Sequence, residues 1–278
     1  SKSRATGAHI QLKDSDEPTE KRESKMTYDP VGWHNYKFFY GDGKKEAWLM
    51  SRGHLIGYQF SGLNDEKRNL VPMTNWLNAG NYSGTDDQNQ SGMLYYENRL
   101  DSWLANHPNY YLDYKVTPIY QKDELIPRQI ELQYVGIDEN GKLLEIKLGG
   151  SKEKIDQYSV THVILDNVSA NAEINYLDGT AKNTVEDAKI KEEKEKAKKE
   201  AEEKAKKEAE EKEAAEKKAK EEEQEKARQA AQEKEESQES NSQSTNSGGY
   251  FRDRNGRWHR PNGKFASKKE IREAGLQW

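Results

Sequence analysis

Cysteine is absent from all 278 residues, so no disulfide framework supports the fold. That absence fits an exported bacterial protein that does without disulfides, and equally a cytosolic one. Leucine, isoleucine and valine are missing between Ile190 and Ile271. A stretch without branched aliphatic side chains cannot bury enough apolar surface to form a core, which excludes one globular domain over the whole chain and predicts a folded body ending near residue 180. No apolar run reaches the length of a membrane span and no signal peptide is recognised; the start, SKSRATGAHI, reads as processed or trimmed. Excess positive charge is also lacking from the body: residues before Val185 carry 21 basic and 26 acidic side chains. That balance argues against broad electrostatic coating of a polyanion and requires any such contact to be local.

What the chain does contain is a polar tetrapeptide, Ser51-Arg52-Gly53-His54, set in AWLMSRGHLIGYQ and followed by NLVPMTNWLN. The apolar run Ala47-Trp48-Leu49-Met50 predicts a short strand that delivers the tetrapeptide to its end, where Gly53 turns the backbone beside a histidine. An RGH triplet alone also arises by chance, and histidine is often a buried hydrogen-bonding residue. The neighbourhood adds weight: Asn69, Pro72 and Asn78 follow, then Glu97 in MLYYENRLDSWL.

A helix over 92–105 puts Met93, Glu97, Leu100 and Leu104 on one face, with Trp103 beside them. A carboxylate in an apolar stripe is costly unless it is paired or serves a cation, and the structural alternative is a Glu at the stripe edge. Asn78 falls near a short helix, Thr74 to Ala79, before the polar loop 80–92. It is a neutral oxygen ligand of the kind a hard cation takes, or else a helix or turn cap.

From about Arg4 to Leu148 the sequence resembles the DNA/RNA non-specific endonucleases of the ββα-metal type, and bacterial extracellular and DNA-uptake nucleases in particular. The signature of that family is Asp-Arg-Gly-His, then an asparagine-containing helix and a downstream glutamate. Arg52, Gly53 and His54 match its last three positions, and Asn69 and Asn78, nine residues apart with Pro72 between, are similar to its asparagine pair. YYENRLDSWL, DYKVTPIY and ELIPRQIELQYVGID resemble its later helix and strands. One position departs: Ser51 stands where the signature has Asp, and serine cannot supply the same negative charge to a metal's water shell.

The resemblance implies phosphodiester hydrolysis with His54 as general base, Arg52 and Glu97 beside it in the catalytic set, and Asn78 and Glu97 as the metal positions. The implied cofactor is Mg²⁺, with Mn²⁺ as a substitute. Arg128 and Asn69 are assigned to substrate binding, Arg128 by bidentate contact with phosphate; the alternatives are a loop brace for Arg52 and a surface strand residue for Arg128. Arg4, in RATGAH, sits where related enzymes begin their first strand and is assigned no role. No base-reading motif is visible, so cleavage is expected without sequence preference; DNA is the expected main substrate, with RNA second. Trp76, Tyr82, Tyr95 and Tyr96 could stack on bases, but core or cleft wall is the safer reading.

The expected fold is α+β: a ββα-metal nuclease domain with a mixed or antiparallel sheet over 1–182, then a long charged helix and a small C-terminal α/β module. Strands are expected at His9 to Leu12, Lys115 to Tyr120, Gln129 to Gly136, Leu143 to Leu148 and Ser159 to Leu165, with a hairpin turn at Glu139-Asn140-Gly141. The spacer 183–236 is almost entirely Lys, Glu, Ala and Gln, with KAKKEAEE repeated in tandem. It predicts a solvated helix tied by pairs such as Glu200 to Lys204, Glu203 to Lys207 and Glu208 to Lys212, and it lacks the apolar seam of a stable coiled coil. Residues 237–249 read as a flexible linker. Residues 250–278 carry eight basic against three acidic residues, with turns at Asn255-Gly256 and Asn262-Gly263 and a helix from Lys268 to Ala274. Basic charge with Tyr250, Phe251, Trp258 and Phe265 suits a polyanion, nucleic acid or cell-wall polymer, and a ligand-free cap suits it equally. His259 lies among arginines with no partner in view for catalysis. The favoured reading is a secreted or cell-surface nuclease; the other is a binding protein in which Ser51 marks lost catalysis and the basic tail tethers DNA or the cell surface.

Overall fold

The computed structural model describes residues 3–242 and 248–278, with the backbone alone over 238–242. Two compact units meet in sequence at Glu195 and Lys196. The first holds, in chain order, strands β1 (Ala8–Leu12), β2 (Lys37–Tyr40), β3 (Lys45–Trp48), β4 (Met50–His54) and β5 (Leu70–Thr74). Helix α1 (Tyr58–Ser61) lies between β4 and β5, and α2 (Asn75–Ala79) and α3 (Met93–Asn106) follow. Then come β6 (Tyr111–Ile119), β7 (Gln129–Ile137), β8 (Leu143–Leu144), β9 (Lys154–Ile155), β10 (Thr161–Asp166), β11 (Ala172–Ile174) and β12 (Ala181–Asn183).

The main sheet runs β1-β6-β7-β10-β9 with β8 beside β7, and every pairing in it is antiparallel. In β6 the inward residues alternate, Leu112, Tyr114 and Val116, as a strand with one covered face requires. They meet Ile130, Leu132 and Tyr134 of β7 and the buried stripe of α3, Met93, Tyr96, Leu100 and Leu104. Removing such a side chain as Leu100→Ala costs about 2–5 kcal/mol through lost burial and the cavity left. The expected stretch Leu143 to Leu148 pairs only at Leu143 and Leu144, while the turn before it closes as expected, Asp138 N donating to Lys142 O at 2.9 Å.

A smaller cluster, Phe38, Leu49, Met50 and Ile126, underlies the β2–β3 hairpin. The β4–β5 hairpin is joined to the main sheet by the wholly buried Asn167. Its Oδ1 accepts from Thr74 N at 2.9 Å, and its Nδ2 donates to the carbonyls of Pro72 (3.0 Å) and Pro127 (2.9 Å). Both amide hydrogens and the carbonyl oxygen are thus hydrogen-bonded, which is the condition under which a buried polar group stabilises a fold.

Helix α4 (Ala188–Ser242) is a single run longer at its C-terminal end than the composition predicts. Beyond Ala188 its described side chains are exposed, and of the three expected ion pairs Glu203–Lys207 is formed at 3.2 Å. The other i,i+4 contacts on it place lysine first, as in Lys198–Glu202 and Lys206–Glu210. That order is the weaker one against the helix dipole.

In the C-terminal module β13 (Phe251–Arg252) pairs with β14 (Trp258–His259), and Phe265 adds a third edge through an antiparallel bridge to His259. Gly256 and Gly263, at φ of +77° and +81°, make the two turns. Helix α5 (Lys268–Glu273) starts on a capping box between Ser267 and Glu270. Ala266 and Ile271 are the buried apolar side chains of the module.

Candidate active site

The polar tetrapeptide does not follow a strand but is part of one, with His54 as its last residue. The chain breaks at Leu49, and Ser51 to His54 form the body of β4, in register with β5 as Ser51 to Met73, Arg52 to Pro72, Gly53 to Val71 and His54 to Leu70. Gly53 does not turn the chain either. A Cβ there would lie 2.4 Å from Met73 Sδ, so its missing side chain is what lets the two strands close over the core.

His54 is buried, and its Nε2 stands 2.8 Å from the carbonyl oxygen of Asn64. A carbonyl only accepts, so Nε2 carries the hydrogen and Nδ1 of the neutral ring holds the lone pair. Burial lowers its pKa; the Asn64 carbonyl opposes this and the charge of Arg22 adds to it. The ring is therefore a neutral proton acceptor at physiological pH.

Asn69 does not face the cleft with free groups. Its Nδ2 donates to Ile56 O at 2.8 Å and its Oδ1 accepts from Ile56 N at 2.9 Å, so it clamps the turn that follows His54. Asn75, Asn64 and Asn35 are committed in the same way, to Ser51, Arg22 and Met50 among others. Asn78 differs. It sits inside α2, not at a cap, because Thr74 Oγ1 takes the capping bond from Leu77 N and Gly80 ends the helix. Among the described residues no protein group meets its amide, which lines a cleft of ≈ 560 Å³ together with Arg22, Ser51 and Arg52.

Glu97 is buried on the inner face of α3, as the helical spacing predicts. Burial pushes its carboxyl up to about 7, with the charge of Arg22 opposing. The carboxylate lies where a side chain at Gly57 would be, an ideal Cβ there falling 2.3 Å from Glu97 Oε2. His54 and Glu97 thus flank the same short segment and feel the same guanidinium, that of Arg22.

Arg52 lines the cleft, but its Nε and one terminal nitrogen donate to Asp29 Oδ1 at 2.8 and 2.6 Å, and it stacks 4.7 Å over the ring of Trp33. Arg128 forms a bidentate pair with Glu124, at 2.6 Å for the closest contact, and lies over Tyr176. Arg4 stacks on Tyr120 and bonds the carbonyls of Glu124 and Lys122. Tyr95 and Tyr96 are buried, and Tyr82 stacks on Tyr40 and meets Trp76 at a tilt, so core and wall describe all four. Sequence reasoning missed Arg22, whose Nε donates to Asn64 Oδ1 at 3.0 Å. It lies in the polar run TEKRESK, where no periodicity marks it out. Asn75 was missed as well: its Oδ1 accepts from Ser51 Oγ at 3.0 Å.

The uncommitted amide oxygen of Asn78 and the buried Glu97 carboxylate, which has no protein hydrogen bond, are each a hard-oxygen donor of the type taken by a cation that keeps several waters. No group of three or more His, Cys, Asp or Glu able to hold a metal occurs among the described residues.

A β-hairpin bearing a histidine, followed by helices bearing an asparagine and a glutamate, defines a ββα nuclease fold. The family description DNA/RNA non-specific endonuclease matches residues 1–136. A solved structure named extracellular nuclease is 52% identical, with a TM-score of 0.53 over 65% of this chain and 87% of that one. Another, named extracellular endonuclease, is 55% identical, with a TM-score of 0.54 over 64% and 80%. NucA from Streptococcus agalactiae, crystallised with magnesium ion bound, is 20% identical over 66% and 74%, with a TM-score of 0.48. Comparison with curated proteins found no match. The chain belongs to the DNA/RNA non-specific endonuclease family.

Proposed function

We propose that this protein is a secreted or cell-surface, Mg²⁺-dependent endonuclease that hydrolyses phosphodiester bonds of DNA, and of RNA, without sequence preference. The observation that carries this reading is the pairing of a neutral His54, its Nδ1 lone pair fixed by the Asn64 carbonyl, with oxygen donors that the protein leaves uncommitted. His54 Nδ1 takes the proton of the attacking water. Asn78 and Glu97 are the residues that would hold the cation, which would supply charge stabilisation at the phosphate and the leaving 3′ oxygen. Mn²⁺ substitutes for it. An ionised Glu97 is costly without a counter-charge, and a divalent cation removes that cost.

Arg22 and Arg52 face the cleft and supply the local positive charge that the acidic body otherwise lacks. Arg52 is oriented by Asp29, and its role is to set the cleft wall and meet a phosphate oxygen. Arg128, tied to Glu124, contacts substrate only by exchanging that carboxylate for a phosphate. Asn69 acts on substrate indirectly, through the turn it holds behind His54. Secretion is supported by the relatives named extracellular nuclease and extracellular endonuclease. No helix of the described residues is long and apolar enough to cross a membrane.

The test is incubation of the protein and its His54→Ala variant with plasmid DNA and RNA, with Mg²⁺ and with chelator. Cleavage that needs both His54 and metal supports the reading. Intact plasmid under all conditions, with DNA bound, supports instead the tethering protein suggested by Ser51.

A further inference from the structure

The C-terminal module has a feature that the catalytic reading does not use. Its strands place Phe251 opposite His259, and His259 opposite Phe265, so the three rings share one face of the sheet. They form a column: Phe251 and His259 are stacked at 5.2 Å and 13°, and Phe265 follows His259 at 4.5 Å, tilted by 38°. The other face carries Trp258 and Ala266, with Trp258 Nε1 donating to Gln277 O and Arg260 pairing with Glu270 of α5. The two ends of the column remain accessible, Phe251 at 39% and Phe265 at 59% exposure.

The middle ring is fixed and charged. His259 Nδ1 faces Gly263 O at 3.0 Å and Nε2 faces Asp253 Oδ2 at 2.9 Å, both acceptors, so each nitrogen carries a hydrogen. The Asp253 carboxylate raises its pKa, and no lone pair is left for general-base work. A cationic ring between two phenyl faces stiffens the column. Arg257 lies over Phe265, and Arg254 is exposed in the same turn. The module carries +5, whereas the residues before Val185 carry five more acidic than basic groups.

We propose that this aromatic face is a docking platform for single-stranded nucleic acid, which captures substrate for a catalytic body too acidic to retain it. Unpaired bases extend the column at Phe251 and Phe265, and Arg254 and Arg257 meet the adjoining phosphates. A wall polymer of polyol phosphate offers the same charge but no flat ring, and the exposed phenyl ends favour the polymer that has one. The identity of this ligand rests on the nuclease reading, while the platform itself rests on the ring geometry.

The experiment uses the full chain carrying His54→Ala, in chelator, and follows the anisotropy of a labelled oligothymidylate. Adding Phe251→Ala with Phe265→Ala is expected to weaken binding about tenfold or more, the effect of losing base–aromatic stacks. Phe251→Leu with Phe265→Leu, which keeps apolar bulk, is expected to weaken it similarly while the emission of Trp258 and its fellow tryptophans stays unchanged. Arg257→Ala is expected to lower the slope of log affinity against log salt by about one. Equal oligothymidylate affinity in the parent and both phenylalanine double variants overturns the proposal. Poly(glycerol phosphate) competing as well as oligothymidylate at equal phosphate concentration overturns it also, and assigns the face to a wall-type polyanion. Plasmid cleavage by the unmodified chain is scored separately: ring-dependent binding without cleavage upholds the platform and removes the nuclease, and cleavage without ring-dependent binding does the reverse.

Discussion

Ser51 Oγ donates a 3.0 Å hydrogen bond to Asn75 Oδ1, and the amide nitrogen of the same asparagine donates to the carbonyls of Asn81 and Gly84. The residue that departs from the family signature is therefore not idle: it anchors the first residue of α2, the helix that carries Asn78. A carboxylate at position 51 would face Asn75 Oδ1 oxygen to oxygen and force a rearrangement. Ser51→Asp is expected to cost about 1 kcal/mol of stability through that lost bond, and to lower the Mg²⁺ concentration needed for half-maximal cleavage by adding charge to the cleft. A urea midpoint and a Mg²⁺ titration of plasmid cleavage check the two effects, and an unchanged Mg²⁺ requirement would sink the second.

Asn78 and Asn69 should separate cleanly. Asn78→Ala removes no protein hydrogen bond, so the thermal midpoint is expected to hold while Mg²⁺-dependent cleavage falls by at least a hundredfold. Asn69→Ala leaves the Ile56 backbone groups unpaired in a buried turn and is expected to cost about 1–3 kcal/mol. Thermal melts beside plasmid assays decide between these roles.

The acid limb of activity should lie below the ordinary imidazole value of 6.5, because burial lowers the pKa of His54 in the fold. The sign for stability is the same: the contribution is present above 6.5 and is lost as pH falls through the lower folded value. A profile of kcat/KM against pH that breaks above 6.5 would contradict this.

His162 shifts the other way. Its Nε2 donates to Asp156 Oδ2 at 2.7 Å and its Nδ1 to Glu131 Oε1 at 3.1 Å, and the Asp156 bond is the larger cause of its raised pKa. Its stabilisation is complete below 6.5 and is lost as pH rises through the folded value. His162→Gln is expected to flatten the fall in stability on that alkaline side, read from urea midpoints between pH 6 and 9. An unchanged slope would assign the loss to other groups.

Asn167→Ala strips three hydrogen bonds from one wholly buried junction and is expected to destabilise by about 2–4 kcal/mol. Because it releases the β4–β5 hairpin from the main sheet, cleavage activity should fall at temperatures below the thermal midpoint. Activity that tracks the folded fraction alone would deny it a positioning role.

Local pattern made much of this legible. The alternation in β6 and the stripe Met93, Glu97, Leu100, Leu104 are short-range regularities that burial imposes directly on residue order, and the spacer declared itself by lacking leucine, isoleucine and valine beyond Ile190. The β4 reading failed because the apolar run is split at Leu49, with Met50 joining the tetrapeptide, and pairing with β5, some twenty residues on, decides where the strand lies. The same holds for Gly53, whose role depends on Met73 rather than on its own dihedral freedom.

The order of His54, Asn78 and Glu97 along the chain, their residue types and the elements bearing them were determined by the sequence, since each depends on motif and helical spacing. Which polar groups remain uncommitted was decided only by the tertiary structure. Asn69 and Asn78 are the same side chain nine residues apart, yet one is consumed by Ile56 and the other faces a cleft. Arg128 is claimed by Glu124, and Arg22 reaches the site from a loop with no pattern. Hydrogen bonding is satisfied by whichever partner the fold brings within about 3 Å, and that proximity is a property of the folded chain rather than of any window of sequence.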